Sequence, residues 1–194
     1  MRKIITAVII ILSLVFICQP GWACAGRPKS LTQVEVLTGF SQSKLHGKGN
    51  FRSIPLVIDL NFDIKKLIGK CTERFPGLLQ FQIEPSIAGI YEPDGNVEFG
   101  NAFTFKFGIL PETSKFQPYL KAALGLSYMT QHTREQSTQF NFFEYGGLGF
   151  HYFFKKNLGL TVEYRFRHLS NSGIDHPNHG INSNFGLVGL IYQF

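Results

Sequence analysis

The sequence is poor in charge, in cysteine and in long apolar runs. Charged residues make up 16% of its 194 residues, whereas a soluble domain usually carries about 25%. The apolar content of 44% excludes a disordered chain. Beyond the amino-terminal segment, no stretch approaches the ~18 consecutive apolar residues of a transmembrane helix, which argues against a helical membrane bundle. The net charge of +6 is weak support for a nucleic-acid partner, and none is predicted.

The amino-terminal segment, residues 1–25, is predicted to be a secretory signal peptide. Basic Arg2 and Lys3 precede an apolar stretch, and small residues up to Ala25 match a cleavage site. A membrane anchor helix is the weaker alternative, because Pro20 ends the apolar stretch before it reaches spanning length.

Cysteine is scarce once this segment is removed. Cleavage takes away Cys18 and Cys24, and the mature chain 26–194 keeps only Cys71. One cysteine cannot form an internal disulfide, so a disulfide scaffold is excluded. A lipoprotein signal through Cys24 is disfavoured, because bulky Trp22 stands where a small residue is preferred.

Phenylalanine and glycine are abundant, with 20 of each. Between Val97 and Ile109, bulky apolar side chains such as Phe105 alternate with small or polar ones such as Thr104 and Lys106. Alternation with period two is typical of strands with one apolar face. Eight such segments are predicted: 33–41, 54–62, 81–91, 97–109, 120–128, 140–154, 158–170 and 188–194.

The faces of these strands favour an all-β, eight-stranded antiparallel transmembrane barrel over residues 26–194, and not a soluble sandwich. The polar faces are rich in Gly, Ala and Ser with single charges of both signs, which suits a narrow barrel interior. An even number of strands closes the sheet and leaves no backbone edge in lipid. The Phe and Tyr faces then contact outer-membrane lipid.

The carboxyl terminus supports this interpretation. Phe194 ends the chain, with Tyr192 and Leu190 at alternate positions. This pattern resembles the terminal strand read by the outer-membrane assembly machinery of Gram-negative bacteria, although an ordinary apolar strand is the plainer alternative. The prediction is therefore a barrel in the bacterial outer membrane, with the barrel assembly machinery as a partner.

Loop lengths predict the orientation, since such barrels have short periplasmic turns and longer external loops. The predicted external segments are 44–52, 92–96, 131–139 and 171–183. Those predicted to face the periplasm are 65–76, 112–115 and 155–157. The connection 65–76 is long and contains Cys71, and the sequence indicates no role for it.

A polar pair interrupts the apolar face at the end of predicted strand seven. His168 and Ser170 are two residues apart, so both continue the lipid-facing stripe. Polar groups in contact with lipid are costly, and an imidazole beside a hydroxyl is what a base needs to activate a serine. The alternative is that the strand has left the membrane and both side chains are solvated.

The surrounding residues, 168–183, read H-L-S-N-S-G-I-D-H-P-N-H-G-I-N-S. They resemble the active-site signature of the PagL-type lipid A deacylases, which is H-x-S-N-x-G followed by P-N-x-G-[IV]-x-S before the last strand. Members of that family are eight-stranded outer-membrane esterases, often grouped with acyloxyacyl hydrolases. The resemblance implies lipid A of lipopolysaccharide as the substrate, with no metal and no cofactor.

The resemblance also implies roles for single residues. Ser170 would be the nucleophile and His168 its general base. The side-chain amide of Asn171 and the backbone N–H of Gly173 would donate to the oxyanion. A glutamate that orients the histidine in the family is replaced here by Asn182, which can accept a hydrogen bond but carries no charge.

Glu144 is an alternative acid. If the turn 155–157 pairs Phe154 with Leu158, Glu144 lies opposite His168 on the lipid face. A carboxylate solvated at the barrel rim is the competing interpretation.

The remaining polar residues give weaker signals. His176 and His179 are conceivable metal ligands, but a solvated loop is favoured because no carboxylates cluster beside them. His151 is expected to be part of the barrel wall, and Glu163, Arg165 and Arg167 are expected to point inward and form interior ion pairs. Contacts with lipid A phosphates, or a solvated loop, are the two alternatives for Lys44, His46, Lys48 and Arg52.

The sequence therefore predicts an outer-membrane serine esterase that removes an ester-linked acyl chain from lipid A. Two alternatives remain: a non-enzymatic small barrel of structural or adhesion type, and a lipid-binding barrel without turnover. The motif at His168, Ser170 and Asn171 favours the enzyme, whereas the missing glutamate at Asn182 favours the alternatives.

Overall fold

The computed structural model describes residues 30–45, 49–69, 72 and 74–194. The predicted signal peptide and Cys71, His46 and Lys48 lie outside these residues. The eight strands are β1 (Leu31–Leu45), β2 (Gly49–Asp63), β3 (Leu78–Glu92), β4 (Asn96–Gly108), β5 (Phe116–Met129), β6 (Phe140–Phe153), β7 (Leu158–Ser170) and β8 (Ile181–Gln193).

Each strand pairs antiparallel with its chain neighbour, and β8 pairs with β1, so the sheet is a closed barrel. The predicted eight-stranded antiparallel architecture is confirmed. A single turn of helix, α1 (Lys65–Ile68), lies in the connection between β2 and β3. Among the described residues, no helix is long and apolar enough to cross a bilayer.

The strands extend further than the predicted segments at one end of the barrel, here called the hairpin end, which carries connections 45–49, 92–96, 129–140 and 170–181. The prediction of a loop over 44–52 is wrong at both ends, because β1 runs to Leu45 and β2 begins at Gly49, with Leu45 and Phe51 buried inside the barrel. The prediction of a loop over 171–183 is wrong at its end, because β8 begins at Ile181 and includes Asn182.

As predicted, the outer face of the sheet is apolar and polar side chains point to its inner face. Side chains on the outer face are large and apolar, and Phe105 and Leu124 expose 61% and 71% of their surface. Thr104 and Lys106, on either side of Phe105, point inward and are fully buried. This distribution, apolar outside and polar inside, is that of a barrel whose outer face contacts lipid.

Charged side chains fill the middle of the barrel. The Lys121 ammonium lies 2.9 Å from Asp59, 2.9 Å from Glu84 and 3.0 Å from Glu163. Arg165 contacts the same three carboxylates and lies 2.8 Å from Glu84. Two buried cations thereby pair with three buried carboxylates, which confirms the interior ion pairs predicted for Glu163 and Arg165.

A second cluster adjoins the first, because Lys106 of β4 is paired with Lys121 of β5. Lys106 donates to Glu35 at 2.5 Å, and His151 Nε2 lies 3.2 Å from the same ammonium group. His151 belongs to the barrel wall as predicted, and the structure shows that it faces the interior, fully buried with its Nδ1 3.0 Å from the Thr161 hydroxyl. Arg167, nearer the hairpin end, pairs with Glu98 at 2.5 Å.

We predict that Lys121→Met lowers the free energy of unfolding by about 3–5 kcal/mol, because it leaves three buried carboxylates without their central cation. Lys156→Met, in an exposed turn, removes the same charge and is the control. Denaturant unfolding in detergent micelles measures both. Equal midpoints for the two variants would contradict a stabilising role of this network.

Candidate active site

Three neighbouring strands bring polar side chains into one row on the outer face. His168 of β7 is paired with Glu144 of β6 on one side and with Asn182 of β8 on the other. The predicted register between Glu144 and His168 is confirmed. Glu144 and Asn182 are exposed and His168 is half-buried, because the residues that alternate with them point into the barrel.

The imidazole of His168 is held from β8. Its Nδ1 lies 2.6 Å from the side-chain oxygen of Asn182. An amide oxygen can only accept a hydrogen bond, so Nδ1 carries the proton and donates it. The other ring nitrogen, Nε2, then keeps a lone pair that can accept a proton. Within the described part of the chain, Glu144 forms no hydrogen bond with this imidazole.

Ser170 is the last residue of β7 and lies on the same face as His168. Residues two apart on a strand have Cα atoms about 7 Å apart. Ser170 is half-buried and is paired with Phe142 of β6. The structure therefore brings Ser170, His168 and Asn182 together at the hairpin end, with Glu144 beside them.

The backbone of Gly180 closes over the histidine. Gly180 has φ +76°, and a Cβ atom built on it would lie 2.4 Å from His168 Cε1. Only glycine allows the chain to approach the ring this closely in this conformation. Our sequence interpretation gave this residue no role of its own, although it is the glycine of the P-N-x-G motif.

Both predicted oxyanion donors already form hydrogen bonds. The Asn171 side chain is fully buried. Its amide nitrogen donates to the Asp175 carbonyl at 2.8 Å and to the Ser137 hydroxyl at 3.1 Å. Its oxygen accepts the Gly173 N–H at 2.9 Å. An oxyanion role for either donor stays a prediction, and it requires the oxyanion to replace these acceptors.

The loop after Ser170 is hydrogen-bonded to the loop between β5 and β6. Asn178, the asparagine of the P-N-x-G motif, accepts the Asn171 backbone N–H at 3.0 Å. Backbone hydrogen bonds at 3.0 and 2.9 Å join the two loops at Ser137–Pro177 and Glu135–His179. Sequence reasoning missed Asn178 and Glu135, because no local pattern indicates a contact between these loops.

The other candidates lie apart from this row. His176 and His179 are exposed on the loop. In the described ranges, no group of three or more His, Cys, Asp and Glu residues is placed to hold a metal. Lys44 is exposed on the outer face of β1. Arg52 lies 3.3 Å from Glu92 of β3.

Comparison with known proteins identifies the family. The family model of lipid A 3-O-deacylase (PagL) matches residues 73–190, more than half of the chain and including the whole motif. The chain belongs to the PagL family of lipid A 3-O-deacylases. No curated protein matches its sequence at a significant level.

Two solved structures share the fold. Neisserial surface protein A is 15% identical with a TM-score of 0.64, and the match covers 85% of this chain and 98% of that one. The outer membrane enzyme PagL is 20% identical with a TM-score of 0.60, and the match covers 81% and 97%. Identities this low establish only the barrel.

Membership of the PagL family and the closed barrel place the chain in the bacterial outer membrane, as predicted. The interaction with the barrel assembly machinery and the signal peptide stay predictions.

On the prediction that His168 is the general base of a lipid A esterase, Gly180→Ala is expected to lower hydrolysis at least 10-fold, since the added methyl group displaces the His168 ring and misplaced catalytic groups cost about 100-fold. Gly49→Ala is the matched control, because Gly49 has φ +78° and open space where its Cβ would lie. Initial rates and thermal unfolding are measured on both variants. If both lose the same activity, backbone strain and not the imidazole contact is responsible.

Proposed function

We propose that the protein removes an ester-linked acyl chain, at the 3-O position named by its family, from lipid A. The observation that carries the proposal is the hydrogen bond from His168 Nδ1 to Asn182, which leaves Nε2 free to accept the Ser170 proton. The site lies on the outer wall of the barrel, so an acyl chain in the outer leaflet reaches it without leaving the membrane.

The reaction follows acyl transfer to serine. Ser170 Oγ attacks the ester carbonyl carbon while His168 Nε2 takes the hydroxyl proton. The tetrahedral intermediate expels the sugar oxygen, which receives that proton from the imidazolium. Water then attacks the acyl-serine, with His168 again taking and returning a proton, and releases the fatty acid.

Asn182 orients the histidine in this scheme but cannot stabilise the imidazolium by charge. Glu144 is the carboxylate nearest in register to the ring, one strand away on β6. A negative charge there stabilises the imidazolium through space even without a direct hydrogen bond. We therefore assign tautomer selection to Asn182 and charge stabilisation to Glu144.

A lipid-binding barrel without turnover is the second candidate. The uncharged Asn182 favours it, as do the oxyanion donors Asn171 and Gly173, both of which already have acceptors. It predicts binding of lipid A without release of a fatty acid.

Ser170→Ala and His168→Ala are each expected to abolish fatty-acid release, because loss of a nucleophile or its base costs on the order of a million-fold in a serine hydrolase. Mass spectrometry of lipid A from cells that express each variant measures the loss. Folding is checked by the heat-dependent mobility of the barrel on gels. Undiminished release by folded Ser170→Ala would rule out the acyl-serine.

Asn182→Glu is expected to change the rate little, although charge-assisted hydrogen bonds are roughly twice as strong as neutral ones, because Glu144 already supplies the negative charge beside the ring. Glu144→Gln is expected to lower it, because it removes the carboxylate beside the ring. Both are assayed on purified lipid A in detergent. If Glu144→Gln has no effect while Asn182→Glu accelerates the reaction, Glu144 is only a solvated rim residue.

A further inference from the structure

The two ends of the barrel differ in charge. The end opposite the hairpin end, here called the turn end, carries connections 63–78, 108–116 and 153–158, which the sequence predicts to face the periplasm. Their described residues include two acids, Asp63 and Glu112, and six bases: Lys65, Lys66, Arg74, Lys115, Lys155 and Lys156. In the described parts of the hairpin-end connections, acids outnumber bases: Glu92, Asp94, Glu135 and Asp175 against Arg134. A ligand of the turn end is therefore expected to be anionic.

Both acids of the turn end are used by one base. Lys65 Nζ lies 2.6 Å from Glu112 and 3.7 Å from Asp63. The Glu112 backbone N–H also donates to the Pro76 carbonyl at 2.9 Å, so the β2–β3 connection is fixed to the β4–β5 turn. The other five bases are exposed, and none of them forms an ion pair within the part of the chain that the structure describes. The turn end therefore presents uncompensated positive charge on an anchored surface.

An aromatic ring surrounds the barrel at the same end. Its members are outward-facing and about half-exposed: Phe107, Phe116, Tyr152, Phe154, Tyr192 and Phe194. Aromatic belts of this kind lie at the level of the lipid headgroups. The bases in the adjoining turns therefore lie close to the depth of the lipid phosphates.

The β2–β3 connection lies against lipid-facing side chains at both of its ends. Phe75 stacks on Phe107, with ring centroids 5.5 Å apart. At the other end a groove opens between α1 and the start of β1. Its lining is apolar at Phe62, Ile64 and Leu67 and polar at Ser30, Thr32, Asp63, Lys65 and Lys66. An apolar surface with an exposed ammonium group at its edge matches a phospholipid, whose acyl chains end in a phosphate.

Leu67 shows that this surface is covered by lipid and not by a soluble partner. It exposes 85% of its surface, the largest fraction of any large apolar side chain in the described residues, and Ile68 beside it exposes 57%. A soluble acidic partner would use the bases but would leave the groove and Leu67 in water. A membrane covers both, as with amphipathic segments that lie in the headgroup region.

We propose that α1 and this groove bind an anionic phospholipid of the periplasmic leaflet. The phosphate lies at Lys66, and Arg74 adds positive charge from the same connection. The acyl chains lie against Phe62, Ile64 and Leu67. A zwitterionic headgroup carries its own ammonium group, so it gains less from these bases. The site is at the opposite end of the barrel from the proposed esterase and does not depend on that function.

The test uses a tryptophan at position 67. The only tryptophan of the sequence, Trp22, lies in the predicted signal peptide, so Leu67→Trp gives the exported barrel one fluorophore. The barrel is placed in vesicles of equal parts phosphatidylglycerol and phosphatidylcholine, with quenching bromine atoms on the chains of one lipid or the other. Strong quenching is expected, and more from brominated phosphatidylglycerol. Gly95→Trp, at the exposed tip of the β3–β4 hairpin, is the control and is expected to be quenched weakly by both lipids.

The role of charge is measured in the Leu67→Trp background. Each basic residue at an anionic membrane surface changes affinity about 5-fold. Lys66→Gln combined with Arg74→Gln is therefore expected to abolish most of the preference for phosphatidylglycerol. Lys44→Gln combined with Arg134→Gln removes the same charge from exposed positions at the hairpin end and is expected to keep the preference.

Three results would overturn the proposal. Absent quenching of Leu67→Trp would show that α1 does not contact lipid and would leave a soluble acidic partner. Equal quenching by the two brominated lipids would exclude selection of an anionic headgroup. An equal loss of preference in the two charge variants would assign it to the net charge of the protein. Ser170→Ala is expected to keep the preference, so a failure of the proposed esterase leaves this result intact.

Discussion

Closure of the sheet between β1 and β8 is the constraint on which the rest of the structure depends. A barrel in lipid cannot leave strand edges unpaired, so every strand is locked in register by two neighbours. Because side chains alternate strictly, register decides which residues face lipid and which face the interior. The row of Glu144, His168 and Asn182 is a direct product of this register. None of the three needs a loop to bring it into place.

The interior charges and the outer site are two consequences of the same alternation. Arg165 and Arg167 point inward and bind carboxylates, while His168, one residue further, points outward. β7 is therefore fixed from inside by ion pairs that lipid cannot reach, and a rigid strand holds catalytic side chains more closely than a loop does. The imidazole of His168 therefore lies on a strand whose position is fixed by buried contacts.

The sequence could predict whatever depends on alternation. Period-two patterns and one short turn are enough to predict three features. These are the eight strands, the inward orientation of Glu163, Arg165 and Arg167, and the pairing of Glu144 with His168. It could not predict contacts between segments distant in the chain. The hydrogen bonds of Asn171, and the approach of Gly180 to the imidazole, arise where one loop packs on another, and no local spacing encodes that geometry.

The position of Asn182 shows how a contact that the sequence could not predict changes the chemistry. Assigned to a loop, this residue was an uncharged substitute for glutamate; on β8 it is paired with His168, and its oxygen lies 2.6 Å from Nδ1. A neutral acceptor selects the same tautomer as a carboxylate, because both accept from Nδ1–H. What it lacks is charge, which acts over a longer distance than a hydrogen bond and need not come from the same side chain. Orientation from β8 and charge from β6 together would perform the two tasks that a single glutamate combines.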